Sequence, residues 1–189
     1  MTMYPWGGNF KLGNPDSCVA VVTMAEKVNL DPEKVAIWGP LKTENLGIEK
    51  IIANLISNPN IRFMIVFGRE IQGHRSGGSL LELFKSGLDE NNRIKGAPGA
   101  VPYIENLGRE AVVRFIDQIT PINLLGVTDK NILESSIDDC LAKNPGSYGE
   151  PYIAIRIEQT TEAHKLSGDI ALHSAINMDL YGRMKKTVV

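Results

Sequence analysis

The sequence is poor in cysteine, in net charge and in long apolar runs, and each shortage argues against a class of function. Only two cysteines occur among 189 residues, Cys18 and Cys140, and they are far apart without metal-ligand spacing. This argues for a reducing cytosol and against a disulfide scaffold or a zinc site. The formal net charge is −2, so no basic field exists to attract nucleic acid or an anionic membrane.

Membrane and export signals are missing as well. The longest apolar stretches are strand-sized, well short of the roughly 20 residues that span a bilayer. The first residues, MTMYPWGGNFK, have neither the basic nor the apolar region of a secretion signal. We therefore expect a soluble cytoplasmic protein without direct membrane insertion.

Short apolar runs alternate along the chain with segments of helical periodicity. The apolar runs predict strands at 18–24, 34–39, 61–68, 121–127 and 151–158. The periodic segments predict helices at 43–58, 79–88, 109–119 and 129–143. This alternation is typical of an α/β domain with a mostly parallel central sheet of about five strands and helices on both faces.

The pattern changes after residue 158. An i+4 stripe in the last segment predicts a terminal helix, formed around Leu172, Ile176, Leu180 and Met184. Charged neighbours exclude a membrane span there. We therefore expect a domain at 1–158 and a helical tail at 159–189, whose stripe is covered by the domain, by a second copy in a homo-oligomer, or by a bound cofactor.

A glycine-rich loop, GREIQGHRSGGS at 68–79, follows the strongest predicted strand. In open α/β sheets, ligands bind at the carboxyl ends of the strands. Gly68 and Gly73 have the spacing of a phosphate-binding P-loop, but His74 and Arg75 stand where lysine and a hydroxyl residue are required. The loop therefore predicts a ligand site that is not a P-loop.

His74 is the histidine best placed for a role in binding, because His164 and His173 lie in the polar tail. No G-x-S-x-G elbow occurs and neither cysteine is near a histidine, so nucleophilic triads are unsupported. A single imidazole can serve a metal that brings its other ligands with it, as in haem or a corrinoid. The competing interpretation is a surface-loop histidine without a role.

Sequence strings around this loop resemble a known family. The pattern H-x-x-G at 74–77 is similar to the D-x-H-x-x-G fingerprint of common cobalamin-binding domains, with Gln72 in place of the aspartate. The longer strings TENLGIEKIIANLISNPNIRFMIVFG, EIQGHRSGGSL and GAPGAVPYIENL resemble the A subunit of tetrahydromethanopterin S-methyltransferase from methanogenic archaea. This resemblance runs from about Cys18 to Glu158.

The resemblance implies a Rossmann-like, three-layer domain that carries a cobalamin-type corrinoid (cobamide), with His74 as the lower axial ligand of its cobalt. It implies a methyltransferase of methanogenesis, which takes a methyl group from methyl-tetrahydromethanopterin onto cobalt and passes it to coenzyme M. The implied partners are methyl-donor and coenzyme M methyltransferase proteins. Members of the membrane complex end in a membrane-spanning helix, which this sequence lacks, so we expect a soluble homologue.

Neighbouring segments supply further candidates for cofactor binding. The helix beginning near Thr43 offers free N–H groups to a corrinoid amide or phosphate, although Thr43 as an ordinary N-cap is an equal alternative. The segment 96–106 is predicted to wrap over the domain, either to line the macrocycle or only to connect. The expected cofactor-binding residues are Thr43, Glu44, Asn45, Leu46, Gln72, Gly73, Gly77, Ser79, Gly96, Gly99 and Pro102.

A ligating imidazole must be neutral, and its second nitrogen normally donates to a carboxylate or carbonyl. By residue type alone, Glu70, Glu105 and Asp117 are candidates for that partner. Two other functions stay open. One is a cobamide-binding or storage protein without turnover; the other is a nucleotide-binding Rossmann-like module that uses the helix at Thr43 but lacks a G-x-G-x-x-G turn.

Overall fold

The structure, a computed structural model, describes residues 3–71 and 73–155, together with the backbone of three strands between 169 and 186. The chain forms two compact units, Met1–Ile157 and Glu158–Val189. All residues expected at the site belong to the first unit. Within the described residues, none of the helices has the length and apolar character to traverse a bilayer.

The described part of the first unit contains five strands and four helices. The strands are β1 Lys11–Leu12, β2 Val19–Val22, β3 Ile37–Gly39, β4 Phe63–Gly68 and β5 Thr120–Leu125. The helices are α1 Leu46–Ile56, α2 Ser76–Ser86, α3 Arg109–Gln118 and α4 Lys130–Ala142. All four helices fall on predicted segments, and so do β2 to β5.

These strands form one sheet in the order β1-β3-β2-β4-β5. The pairs β3–β2, β2–β4 and β4–β5 are parallel, and only β1 pairs antiparallel, at the edge beside β3. The predicted α/β class with a mostly parallel sheet is confirmed. Because β2 lies between β3 and β4, the loops that leave β3 and β4 can meet over its carboxyl end.

Two apolar clusters cover the two faces of the sheet. One contains Ala20 and Val66 together with residues of α1, α2 and α3, and the other contains Val21 and Phe67 together with residues of α4. Since successive residues of a strand point to opposite faces, α1 to α3 cover one face and α4 covers the other. The strand β4 is apolar toward both clusters, which explains why its sequence signal is the strongest.

The predicted strand at 151–158 is wrong over 151–155, which form no strand, and its last residues lie outside the described part. Tyr152 and Ala154 pack against the cluster on the α1 side, and the Tyr152 N–H donates to the Ile56 carbonyl at 3.0 Å. Because this segment is half-buried against the helices, its apolar and polar residues alternate as they would in an edge strand. The real edge strand is β1, whose two residues are too few to show a period.

In the second unit, the helical prediction is wrong at the described residues. Three strands stand there instead, β6 Asp169–His173, β7 Ile176–Asp179 and β8 Met184–Lys186, paired antiparallel in that order. A spacing of four residues is a multiple of the strand period of two as well as close to the helical period, so the stripe did not distinguish them. Leu180 lies outside the described residues.

Candidate functional site around His74

His74 lies beyond the carboxyl end of β4, in the turn that precedes α2. Its backbone N–H donates to the Ile71 carbonyl at 3.2 Å. Gly73 before it has φ +91°, a left-handed conformation that favours glycine. The imidazole is 51% exposed, so it stands at the carboxyl edge of the sheet with access for a ligand.

The partner of the imidazole is Glu44, which lies between β3 and α1. The Nδ1 atom of His74 is 3.2 Å from Oε2 of Glu44, whose side chain is only 6% exposed. The other carboxylate oxygen accepts hydrogen bonds from the backbone N–H groups of Ala100 at 3.2 Å and Val101 at 3.1 Å. The carboxylate therefore joins the imidazole to the segment 96–106.

This contact corrects the candidates that residue type alone suggested. The Glu70 carboxylate binds the start of α2, and Glu105 contributes a backbone N–H to another glutamate, Glu49. Asp117 lies near the end of α3. Among the described residues, the carboxylate that contacts His74 is Glu44.

The environment of Glu44 favours its ionised form. Burial raises the pKa of the carboxyl group, but hydrogen bonds from its own N–H, from Val101 and from His74 outweigh that effect and leave the pKa below its usual range. A carboxylate can only accept hydrogen bonds. In a neutral His74, the proton is therefore on Nδ1, and Nε2 carries the lone pair that can bind a metal.

Gly99 packs directly against this carboxylate. A Cβ atom on Gly99 would lie 2.7 Å from Cγ of Glu44 and 2.8 Å from Oγ of Ser79. The Gly99 N–H donates to the Ser79 hydroxyl at 3.1 Å, and that hydroxyl donates to the Arg75 carbonyl at 3.0 Å. The loop before α1, the start of α2 and the segment 96–106 therefore meet at one point.

A second buried carboxylate holds the far end of the same segment. Glu49 of α1 is 1% exposed and accepts 2.7 Å hydrogen bonds from the backbone N–H and the side-chain Nδ2 of Asn106. The sequence analysis missed this residue. The signal was present, because Glu49 is next to Ile48 and falls between the apolar positions of the buried stripe of α1.

A side chain that precedes the helix accepts a hydrogen bond from the first turn of α1. The helix begins at Leu46 after Asn45, whose side chain makes no capping bond, and the Thr43 hydroxyl accepts from the Gly47 N–H at 3.0 Å. Thr43 thus satisfies one of the free N–H groups of the first turn.

The start of α2 explains the glycines that resembled a P-loop. Arg75, before the helix, has φ +49°, and the Glu70 carboxylate accepts from the Gly78 N–H at 2.6 Å and the Gly77 N–H at 3.2 Å. A helix N-terminus of this kind binds anions. The anion here is the protein's own carboxylate, so the helix also begins earlier than its apolar periodicity predicts.

Of the remaining residues that were expected to bind the cofactor, some are packed inside the domain and others lie at its surface. A Cβ on Gly77 would lie 2.8 Å from Leu125, so this glycine lets α2 approach the sheet. Pro102 is buried and its carbonyl accepts from Ile94, whereas Gly96 is exposed. Leu46 is 42% exposed, and Gln72 lies outside the described residues.

The donor set fits a metal that arrives with other ligands. No group of three or more histidine, cysteine, aspartate or glutamate residues in the described parts of the chain could hold a metal ion. A single imidazole with a buried carboxylate on its second nitrogen is the arrangement that an axial ligand needs. A macrocycle that supplies its own nitrogens is compatible with this site.

The two cysteines lie away from this site. Cys18 precedes β2 and Cys140 is in the last turn of α4, toward the amino end of the sheet; both are free and buried. Burial raises the pKa of the Cys140 thiol to about 11. Thiols in such surroundings are inert at neutral pH.

Comparison with known proteins agrees with the geometry. Residues 3–165 match the family described as the A subunit of tetrahydromethanopterin S-methyltransferase. The chain belongs to this family. The match includes the loops after β3 and β4 and the whole segment 96–106.

Individual relatives support the same assignment. The chain is 46% identical to the A subunit (number 1) of tetrahydromethanopterin S-methyltransferase from Methanothermobacter thermautotrophicus, over 82% of this chain and 66% of the relative. It is 43% identical to the A subunit of the putative methyltransferase Mtx from Methanosarcina acetivorans, over 93% of this chain and 89% of the relative. The match thus spans just under two thirds of the first relative and most of the second.

Proposed function

We propose that this chain is the corrinoid-carrying subunit of a methyltransferase of the tetrahydromethanopterin S-methyltransferase type, built on a Rossmann-like domain. The observation that carries the proposal is the His74–Glu44 pair at the carboxyl edge of the sheet, in a chain of this family. When bound, the corrinoid supplies a nucleophilic cobalt that accepts a methyl group from methyl-tetrahydromethanopterin and gives it up to coenzyme M.

His74 would hold the cobalt of the corrinoid through its Nε2 atom, since its Nδ1 atom contacts Glu44. The Glu44 carboxylate keeps the proton on Nδ1 and increases the basicity of Nε2, as carboxylates behind metal-bound histidines do. Because Glu44 is buried and accepts two further backbone hydrogen bonds, it cannot turn away without leaving N–H groups unpaired. The imidazole is therefore oriented before the cofactor binds.

The apolar surface beside this pair suits a flat macrocycle. Leu46 and Val101 are 42% and 51% exposed. Leu46 follows Glu44 by two residues, and the N–H of Val101 binds the Glu44 carboxylate. Burying two such side chains against a macrocycle contributes favourably at about 25 cal/mol per Å² of apolar surface.

The structure gives less support to the nucleotide-binding alternative. The first turn of α1 is partly satisfied by Thr43, and the first turn of α2 by the Glu70 carboxylate. A phosphate at α2 would have to displace a negative charge that is already hydrogen-bonded. The proposed partners are the methyl-donor and coenzyme M methyltransferase proteins, in the reducing cytoplasm that suits two free thiols.

The experiment is cofactor retention by the purified protein. After incubation with aquocobalamin and desalting, we expect the wild type to retain the corrinoid stoichiometrically, with an absorption spectrum shifted by imidazole ligation. A protein that emerges colourless contradicts the proposal. If reduced, loaded protein fails to accept a methyl group from methyl-tetrahydromethanopterin in the presence of partner subunits, the chain is a store instead of a carrier.

A further inference from the structure

The buried carboxylate of Glu49 lies among the mostly apolar buried residues of α1. It is 1% exposed, and among the described residues no lysine, arginine or histidine lies within ion-pair distance of it. A buried charge costs free energy unless hydrogen bonds replace its lost hydration. An apolar side chain would occupy this place at lower cost, so the carboxylate indicates a role beyond filling the core.

The hydrogen bonds of Glu49 all go to the end of the segment 96–106. Its Oε1 atom accepts from the backbone N–H groups of Glu105 and Asn106, and its Oε2 atom accepts from the Asn106 side chain at 2.7 Å. These three donors satisfy the carboxylate and fix this end of the segment against α1.

The same segment is bound by Glu44 in the same way. Glu44 accepts from two consecutive N–H groups, those of Ala100 and Val101, as Glu49 does from the pair that follows five residues later. In both cases the donors lie 56 and 57 residues after the carboxylate. The two glutamates, five residues apart, therefore hold two points of the segment that are also five residues apart.

The chain between these two points is folded into a tight turn. The Tyr103 N–H donates to the Val101 carbonyl at 3.0 Å. Pro102 is buried in this turn, whereas Val101 is 51% exposed. Without the bonds to Glu49, the turn would be hydrogen-bonded to a carboxylate at one end only, by Glu44.

Movement of this turn would reach His74 through Glu44. The Oε2 atom of Glu44, which does not bind the turn, is 3.2 Å from Nδ1 of His74. A displaced turn would therefore pull its two N–H groups away from Glu44 or move the carboxylate with them. Either change weakens the contact that keeps the ring proton on Nδ1.

We propose that Glu49 is a positioning residue for His74, which acts through the segment 96–106 and Glu44. The inference rests on the proposed function, because that function gives the fixed imidazole its purpose as a metal ligand. Because Glu49 acts indirectly, its effect on the site should be smaller than that of Glu44.

The test is the tautomer of His74 in the protein without corrinoid. Long-range ¹H–¹⁵N NMR spectra at about pH 8.5, where imidazoles are neutral, distinguish a proton on Nδ1 from one on Nε2, and His74→Ala identifies the signals. Glu49→Leu removes the acceptor and keeps an apolar side chain in the core, whereas Glu49→Gln keeps an oxygen for the backbone N–H groups. The matched control is Ser57→Ala, which breaks a 2.8 Å bond to the Tyr4 N–H at the other end of α1.

In the wild type we expect the proton on Nδ1. In Glu49→Leu, the ratio of the Nε2–H to the Nδ1–H form should rise about three- to tenfold, the change expected when one hydrogen bond is weakened. Glu49→Gln and Ser57→Ala should keep the wild-type ratio. An unchanged ratio in Glu49→Leu, or an equal rise in either of the other variants, would overturn the proposal.

Circular dichroism shows whether Glu49→Leu is folded. If it is not, Asn106→Ala decides, because this variant removes only one of the three hydrogen bonds to the carboxylate. It should raise the tautomer ratio in the same direction by a smaller factor. No rise in Asn106→Ala would overturn the proposal.

Titration with aquocobalamin separates this inference from the proposed function. Glu49→Leu should bind about three- to tenfold more weakly than the wild type, a smaller loss than that expected for the residue directly behind a metal-bound histidine. If the wild type retains no corrinoid while the tautomer still responds to Glu49→Leu, the proposed function fails and the positioning by Glu49 stands. If the wild type retains corrinoid and the tautomer does not respond, only the positioning by Glu49 fails.

Discussion

Two glutamates near the carboxyl edge of the sheet make nearly the same backbone contacts and have different consequences. Glu44 precedes α1 and accepts hydrogen bonds from the N–H groups of Ala100 and Val101. Glu70 precedes α2 and accepts from the N–H groups of Gly77 and Gly78. Each carboxylate thus satisfies two neighbouring donors, but only Glu44 among these two also contacts an imidazole.

The difference lies in what each carboxylate connects. Glu70 closes the helix that follows it in the same loop, which is a local contact. Glu44 joins His74, which is 30 residues away, to N–H groups 56 and 57 residues away. A carboxylate that spans three segments can orient a metal ligand and respond when that ligand moves, whereas a local cap stabilises one helix.

Substitutions of Glu44 and of Glu70 should differ most in their effect on the affinity for the corrinoid. Glu44→Gln places an amide beside Nδ1; its NH₂ can donate there and shift the ring proton to Nε2, which blocks ligation. We expect affinity for aquocobalamin to fall about 10- to 100-fold, the usual effect of losing the residue behind a metal-bound histidine. Glu70→Gln should keep wild-type affinity in the same absorbance titration.

If both variants lost affinity equally, the two carboxylates would be equivalent and the comparison would fail. Circular dichroism at the titration temperature checks that each variant is folded. Glu70→Gln is expected to cost about 1 kcal/mol of unfolding free energy, because it weakens the closure of α2.

Gly99 gives a steric test of the same junction. In Gly99→Ala, the new Cβ would lie 2.7 Å from Cγ of Glu44. We expect a loss of about 1–3 kcal/mol in unfolding free energy, as for other overpacked sites, together with weaker corrinoid binding. The matched control is Gly7→Ala, where a Cβ would meet nothing within 4 Å. If Gly99→Ala and Gly7→Ala had equal urea midpoints, the close packing of Gly99 against Glu44 would be contradicted.

The decrease of folding stability at acidic pH should also depend on Glu44. Its pKa is lowered in the folded protein because hydrogen bonds outweigh burial, so its contribution is present above the unfolded-state pKa and is lost as pH falls through the folded-state pKa. Urea midpoints of the wild type should therefore decline from about pH 5 downward. The urea midpoint of Glu44→Gln should decline less, and Glu90→Gln, which removes an exposed carboxylate, serves as a control. If the urea midpoint of Glu44→Gln fell with decreasing pH as steeply as that of the wild type, the contribution assigned to Glu44 would be refuted.

Thr43 should have the smallest effect. Thr43→Ala removes the hydroxyl that accepts from Gly47, at an expected cost of about 0.5–1 kcal/mol of unfolding free energy. Corrinoid affinity should not change, because the hydroxyl serves the helix. Thr43→Ser keeps the oxygen and should restore stability. A loss of affinity in Thr43→Ala alone would give this helix start a direct role in cofactor binding.

Local patterns predicted most of the first unit. The run at 61–68 became β4 because a central parallel strand is apolar on both faces, and the stripe from Ile48 to Ile56 became the buried face of α1. Patterns failed where they were short or ambiguous. The two residues of β1 show no period, and the i+4 stripe in the second unit suits a strand as well as a helix.

The site was predictable only in part. The position of His74 after a strong strand is a local feature, and the sequence shows it. The Glu44 contact depends on the sheet order, which brings the loops after β3 and β4 together over β2, and no local period encodes that order. Glu44 was therefore expected at the site as a helix-terminus residue, while its contact with the imidazole came only from the fold.

The most direct test of the account is the electron paramagnetic resonance spectrum of the loaded protein with cobalt in the +2 state. The wild type should show splitting of the cobalt lines by one axial imidazole nitrogen. In His74→Ala, which keeps the apolar surface and should still bind some corrinoid, that protein-derived splitting should vanish. Labelling the histidines with ¹⁵N changes the wild-type pattern only if the nitrogen belongs to the protein. The decisive comparison uses cobinamide, which has no tail base to coordinate cobalt. One-nitrogen splitting in His74→Ala loaded with cobinamide, or no response of the wild type to the label, would contradict the assignment of His74 as the cobalt ligand.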